Sequence, residues 1–441
     1  MKRPDPTRCL GLLSLIACLA LLAACETRPP GAIGEPRAVV MAPLAPARTV
    51  SAPSAPASAA PSAPAASVPV AAPVIVPVAF DDAVLKAAGD LLTNAQKAAG
   101  PTASRQSIVI DPLIDGVTGA QSAATRSMEA RIRELIGASY PGFEVQAFTA
   151  ANVAKRPIVL VGTFTAINGA NQTSGAREAY RICLALADLR SGRIVSKGVA
   201  RARLEGVDIT PTPYYADSPA WAADPATASY IKTCQGTRPG DPIDAVYADR
   251  ILVGALVNDA INAYEARRYG ESLDLYRSAL ATPGGEQLRV LNGIYLANWK
   301  LGRRSDAEQA FGKIVDYGLA SKRLAVRLLF SPGSTQFWPD PRISAAYPVW
   351  LAQIAQRSAQ GSACLEIVGH TSRSGPEPLN ERLSVLRAEL VKQRLEAQAP
   401  DLRRRSIATG AGSREALVGI GSDDARDAPD RRVEFKVVDC G

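Results

Sequence analysis

One histidine stands in a chain of 441 residues, and that scarcity narrows the chemistry at once. Any Ser-His-Asp or Cys-His pair would have to use His370. No Cys/His spacing of a metal site occurs, so no metal is expected. The glycines at 410, 412, 419 and 421 are not followed by Gly-Lys-Ser/Thr, so a phosphate loop is excluded. Aromatic residues make up only 5% of the chain, and the lysines and arginines behind the net charge of +8 are dispersed; nucleic acid is therefore not an expected partner. Arg403-Arg404-Arg405 reads as a solvated helix end. Paired carboxylates of the glycosidase kind leave no spacing signature. Nothing else in the chain marks an enzyme, and neither catalysis nor a cofactor is expected.

Charge itself is absent from Thr49 to Ala79. Pro, Ala, Ser and Val dominate residues 26–80, and prolines at short intervals favour an extended polyproline linker over a packed fold. At about 3.1 Å per residue, fifty such residues reach at most roughly 150 Å. Before the linker, Lys2, Arg3 and Arg8 precede an apolar run from Leu10 to Ala24 that is too short for a membrane span. Residues 1–25 therefore read as a signal segment. Leu22-Ala23-Ala24-Cys25 resembles a bacterial lipobox, with Cys25 as the lipidated residue. Glu26, rather than Asp, after the cysteine favours the outer membrane, and acyl chains on one residue suffice for anchoring. Cys9 and Cys18 leave with the signal, so Cys183, Cys234, Cys364 and Cys440 remain. An even number in an oxidising compartment suggests two disulfides, and sequence order allows three pairings.

Residues 81–245 read as an α/β domain. Helices are expected over Ala83–Ala98 and Ala120–Ile136. Strands are expected at Ser107–Asp111, Glu144–Phe148 and Ile158–Phe164, followed by a hairpin of Ala179–Leu189 and Ile194–Leu204 turning at Arg190-Ser191-Gly192-Arg193. The strand end at 108–115, the strand at 159–164 and the hairpin sequence from Asp188 resemble periplasmic domains of the CsgG and LpoB kind, which implies a scaffold or regulator with no catalytic residues. Tyr214, Tyr215, Trp221 and Tyr230 either bind sugar or pack a long loop onto its domain. Residues 246–324 are helical: Tyr269–Tyr276 aligns with Arg304–Phe311 at an offset of 35 residues, close to the period of a tetratricopeptide repeat. Such a segment either caps its neighbours or binds a peptide.

The stretch His370–Arg387 carries the most specific signal. Residues 365–369 form a short apolar run, read as a buried strand. A polar loop follows, then a helix whose Leu379, Leu383, Leu386 and Leu390 are spaced as an apolar stripe against a core. A strand end, a loop and a helix start make a pocket suited to a carboxylate. Gly369-His370-Thr371, Gly375, Asn380, Leu383-Ser384, Arg387-Ala388 and Arg431-Arg432-Val433-Glu434 together resemble the OmpA-like domain that binds peptidoglycan, over residues 325–441. The resemblance implies a βαβαββ fold and a stem-peptide site at His370, Thr371, Ser372, Asn380, Leu383, Arg387 and Arg432. In the family an Asp, here Ser372, and the arginine matching Arg387 hold the zwitterionic centre of diaminopimelate. Arg387 suits a carboxylate, whereas the ammonium partner is missing. The family's sheet further implies that His370 lies opposite Glu434 and that Cys364 bonds Cys440, leaving Cys183 for Cys234.

The expected whole is thus a multidomain α/β and α+β chain: signal, linker, CsgG/LpoB-like α/β domain, helical repeat segment and OmpA-like domain. It reads as an outer-membrane lipoprotein, facing the periplasm, that binds the peptidoglycan stem peptide non-covalently and ties the outer membrane to the wall through its lipid anchor. The alternative is a periplasmic scaffold that regulates a cell-wall synthesis or secretion machine through protein partners.

Overall fold

Along Ala179–Asp188, Ile182, Leu184 and Leu186 alternate with Cys183, Ala185 and Ala187, and all of them are buried. Successive side chains point to opposite faces of a sheet, so this sheet must be covered on both sides. The computed structural model, which describes residues 76–100, 104–221 and 224–440, shows what covers it. In chain order come α1 (Phe80–Ala99), β1 (Gln106–Ile110), β2 (Ile114–Asp115), α2 (Ala123–Ser139), β3 (Phe143–Gln146), α3 (Ala150–Val153), β4 (Ile158–Ile167), β5 (Ala179–Asp188) and β6 (Arg193–Ala202). The strands lie in the order β3-β1-β4-β5-β6, with β2 beside β4. β1 is parallel to β3 and β4, and β4, β5 and β6 are antiparallel. α1 and α2 cover the Leu184 face. After α4 (Pro213–Asp217), α5 (Pro225–Gln235) and α6 (Ala245–Glu265) cover the Cys183 face. The signal segment, Cys25 and all but the last residues of the expected linker lie outside the described residues. Val78 already pairs with β6, its N–H donating to Arg201 O at 3.0 Å, so the packed chain begins before residue 80.

The aromatic loop packs, and it packs between two parts of the chain. Tyr214, Tyr215 and Tyr230 are buried. Tyr214 Oη donates to Arg289 O at 2.5 Å, Asn292 Nδ2 to Ala220 O at 2.8 Å, and Tyr264 Oη to Asp217 Oδ2 at 2.7 Å. Residues 211–221 thereby lie across α6 and the later helix α8 (Leu288–Lys300). The helices α7 (Tyr269–Ala281), α8 (Leu288–Lys300) and α9 (Arg304–Ala320) follow. The offset of 35 returns in the backbone: Arg267 and Gly302 close equivalent turns with φ of 60° and 73°, and Tyr276 and Phe311 are equivalent buried rings.

Next come β7 (Leu328–Leu329), α10 (Pro341–Ser344), α11 (Tyr347–Gln360), β8 (Cys364–Gly369), α12 (Glu377–Gln398), β9 (Ser406–Gly410) and β10 (Arg432–Val438). Setting aside the single turn α10, this is a βαβαββ order. The second sheet runs β7-β10-β8-β9, with β8 parallel to β9 and antiparallel to β10. One continuous apolar core joins Tyr214, α6 to α9, α11 and this sheet through Phe435.

Three expectations need correction. The buried side of α12 is Asn380, Ser384, Arg387, Ala388, Val391 and Leu395, whereas Leu379 and Leu386 are 64% and 43% exposed. The cause is close approach: a Cβ on Gly369 would sit 1.9 Å from Ser384 O, and one on Gly410 would sit 2.4 Å from Ser384 Oγ. Only small residues fit under that turn of the helix. The register of β8 on β10 is displaced as well: Cys364 faces Val438, and His370 N donates to Arg432 O rather than lying opposite Glu434. Cys364 and Cys440 are nevertheless bonded, diagonally, with Cα atoms 5.2 Å apart. Cys183 and Cys234, expected as a disulfide, are free thiols. They do meet, with sulfurs 2.9 Å apart, each bonded to the other's carbonyl where α5 crosses β5.

Candidate functional site

β8 ends at Gly369, and the chain then crosses the edge where β9 and β10 also begin or end. His370 N is held by Arg432 O at 2.8 Å and Thr371 N by Gly412 O at 2.9 Å. Backbone pairing therefore fixes the first two residues after the strand. Gly375, with φ of 82°, turns the chain into α12, a conformation that disfavours any residue with a Cβ. Asn380, on the first turn of α12, reaches back and donates to Ser374 O at 3.1 Å.

Arg387 sits beneath this loop with no exposed surface. Its Nε, Nη1 and Nη2 donate to Ser334 O, His370 O and Ser331 O at 2.9, 2.8 and 2.8 Å. A guanidinium has five N–H groups, so two are not committed to those carbonyls. Burial, and next to it the like charge of Arg431, lower its pKa to about 10. It remains a cation at neutral pH.

Ser372 does not point into empty space. Its Oγ donates to Asp423 Oδ1 at 2.5 Å, and Ser374 Oγ donates to Asp423 Oδ2. Asp423 comes from the long loop between β9 and β10. Burial pushes its carboxyl up, but the two serine hydroxyls, Arg431 and Arg387 together hold it below the ordinary carboxylate value. Arg431 is buried and pairs closely with buried Asp427 at 2.5 Å, with Asp423 further off at 3.4 Å.

Arg432 is not part of this group. Its guanidinium grips Glu434 with two bonds, of 3.0 and 3.1 Å, and Glu434 lies 3.2 Å from His370 Nε2. Burial works against the Glu434 carboxylate, yet Arg432 and His370 hold it well below its usual range. Burial, followed by Arg432, lowers the His370 pKa. His370, Glu415 and Glu434 bring ligand atoms within 4.8 Å of one another, a grouping invisible in sequence spacing. Arg432 and, at 3.9 Å, Lys436 already supply positive charge there.

Of the expected residues, Arg387 binds the His370 carbonyl, Asn380 binds the Ser374 carbonyl, Ser372 binds Asp423, and Thr371 is tied by its N–H to Gly412 O. The His370 ring and Arg432 turn to Glu434, and Leu383 is half-buried on the flank of α12. Ser374, Asp423, Asp427 and Arg431 were not expected in the site. Their signal was the acidic cluster Asp423-Asp424…Asp427 just before Arg431, in a loop whose glycines 412, 419 and 421 all have positive φ.

No protein-family model matches the chain, and no curated protein matches it. Among solved structures, about a quarter of the chain is similar to OmpA-like domains. The peptidoglycan-associated lipoprotein from Burkholderia pseudomallei is 24% identical over 25% of this chain and 89% of its own, with a TM-score of 0.22. The cell wall anchor of the T6SS from Pseudomonas aeruginosa is 22% identical over 29% of this chain and 96% of its own, with a TM-score of 0.22. The LpoB C-terminal domain from Salmonella enterica is 14% identical over 27% of this chain and 98% of its own, with a TM-score of 0.20. Among the described residues no helix is long and apolar enough to cross a membrane.

Proposed function

We propose that this protein binds peptidoglycan non-covalently at the end of β8 and, through a lipid on Cys25, ties the outer membrane to the wall. The observation that carries the reading is the buried Arg387 bonded to the His370 carbonyl, beneath a loop that Asn380 and Ser372 tie down, residues that the OmpA-like resemblance singles out. Two uncommitted N–H groups of Arg387 suit one carboxylate of a stem peptide. Reaching them requires the Ser331–Ser334 segment, which caps the guanidinium, to give way on binding. No bond is made or broken in this reading.

The test is co-sedimentation of the full chain with purified sacculi, with free diaminopimelate as competitor. Binding that diaminopimelate displaces is expected, and failure of the wild-type chain to pellet with sacculi sinks the reading. Arg387→Lys keeps a cation but cannot form two parallel bonds, so it is expected to bind tenfold or more weakly. Arg387→Ala is the poorer probe, because it leaves three buried carbonyls without their donor. A second reading, a scaffold for an envelope machine, draws on the exposed Leu379 and Leu386, an apolar pair on the outer face of α12 that a protein partner would cover.

A further inference from the structure

We infer that Asp423 recognises the cationic half of the ligand, so that the site reads a zwitterion, with Arg387 for the carboxylate and Asp423 for the ammonium group. The inference rests on the wall-binding reading above and assigns the charge partner that Ser372 lacks. Four observations support it. The Asp423 side chain is 37% exposed, while the Ser372 beneath it is buried, so the carboxylate stands at the mouth of the site. Both its oxygens are braced from below by hydroxyls, Ser372 on one and Ser374 on the other. Ser374 is itself held by Asn380, which gives that residue a role as well.

Third, the backbone at Asp423 is left-handed, with φ of 52°, and its N–H is tied to Asp427 Oδ2 at 2.9 Å. Aspartate visits that conformation readily, and the bond to Asp427 fixes the direction in which its side chain leaves the loop. Fourth, Arg431 pairs first with another carboxylate. Asp427, fully buried and 2.5 Å away, is its nearer partner, and Asp423 stands off at 3.4 Å. A carboxylate has about four acceptor positions. Two serines and the longer Arg431 contact occupy three, and the exposed side is free for an N–H of the ligand. A carboxylate and a guanidinium that each feel the other's charge match the paired ends of an amino-acid head group.

The probes are diaminopimelate and the same molecule with its amines acetylated, titrated calorimetrically into the full chain. Wild type is expected to prefer the free amine by tenfold or more, the worth of one charge-assisted hydrogen bond. Asp423→Asn should erase that preference; asparagine tolerates the left-handed backbone, so the loop keeps its shape. Ser372→Asp alone sets a second carboxylate against the first and should weaken binding, whereas Ser372→Asp with Asp423→Asn should restore the preference. A wild-type chain that binds free and acetylated forms equally, or an Asp423→Asn chain that still discriminates, overturns the inference and leaves wall binding standing. A wild-type chain that binds neither overturns both.

Discussion

Asp111 closes β1 and faces three neighbouring elements. Tyr247 of α6 donates to its Oδ2 at 2.7 Å, Arg289 of α8 lies across from it, and Glu129 of α2 adds like charge. Burial pushes its pKa from 3.8 up to about 7. The folded chain therefore keeps a proton that the unfolded chain releases, and stability falls as pH rises between those values. The contribution is complete below pH 4 and gone above pH 7, with an upper bound of roughly 4 kcal/mol. Asp111→Asn keeps the acceptor for Tyr247 and cannot ionise. It is expected to be more stable than wild type at pH 8, with the gap shrinking towards pH 5, in paired urea melts; an equal gap at both pH values would refute the assignment. Single residues of this kind were opaque in the sequence. Asp111 is one aspartate among many until α6, 136 positions later, is laid over it. Arg387 was legible because its neighbours Leu383-Ser384 and Ala388 come with it. Asp423 was not, because it reaches Ser372 across 51 residues from a loop with no periodicity.

α12 shows how an element can be placed correctly and turned wrongly. Its leucines have helical spacing, but the sheet beneath lies so close that polar and small residues take the inner face. The glycines that permit this approach were visible as letters; their distance from Ser384 was not. Gly369→Ala puts a Cβ into the Ser384 carbonyl, a backbone group with no rotamer to adjust. The helix would have to lift, at a cost of about 1–3 kcal/mol or more. A drop in the urea midpoint of that size is expected, together with loss of sacculus binding, and a stable, binding-competent Gly369→Ala chain would show that α12 does not rest on that carbonyl. The hairpin of β5 and β6, by contrast, was legible to within two residues, since a largely apolar run and an alternating run about a Ser-Gly turn admit few other folds.

The described residues form one compact unit, and its seams are packed. Ala220 bridges to Val326, Arg327 N donates to Pro219 O at 3.0 Å, and Arg177 of the segment before β5 donates to Ala416 O at 2.9 Å in the loop that bears Asp423. The α/β part thus braces the loop of the candidate site, a relation no local pattern could reveal. Expressed alone, residues 325–441 lose α9 from the face of α11 and should be degraded under limited proteolysis that spares the longer chain, while equal resistance would mean that the shared core adds little. Under the proposed function the chain holds two structures together and so carries load. Traction applied at Val78 would pass through β6 and the first sheet to α6, then through the shared apolar core of α7, α8, α9 and α11 to the second sheet. In that sheet β10 lies between β7 and β8, and the Cys364–Cys440 bond fastens its end to β8, where an unbonded tail strand would peel first.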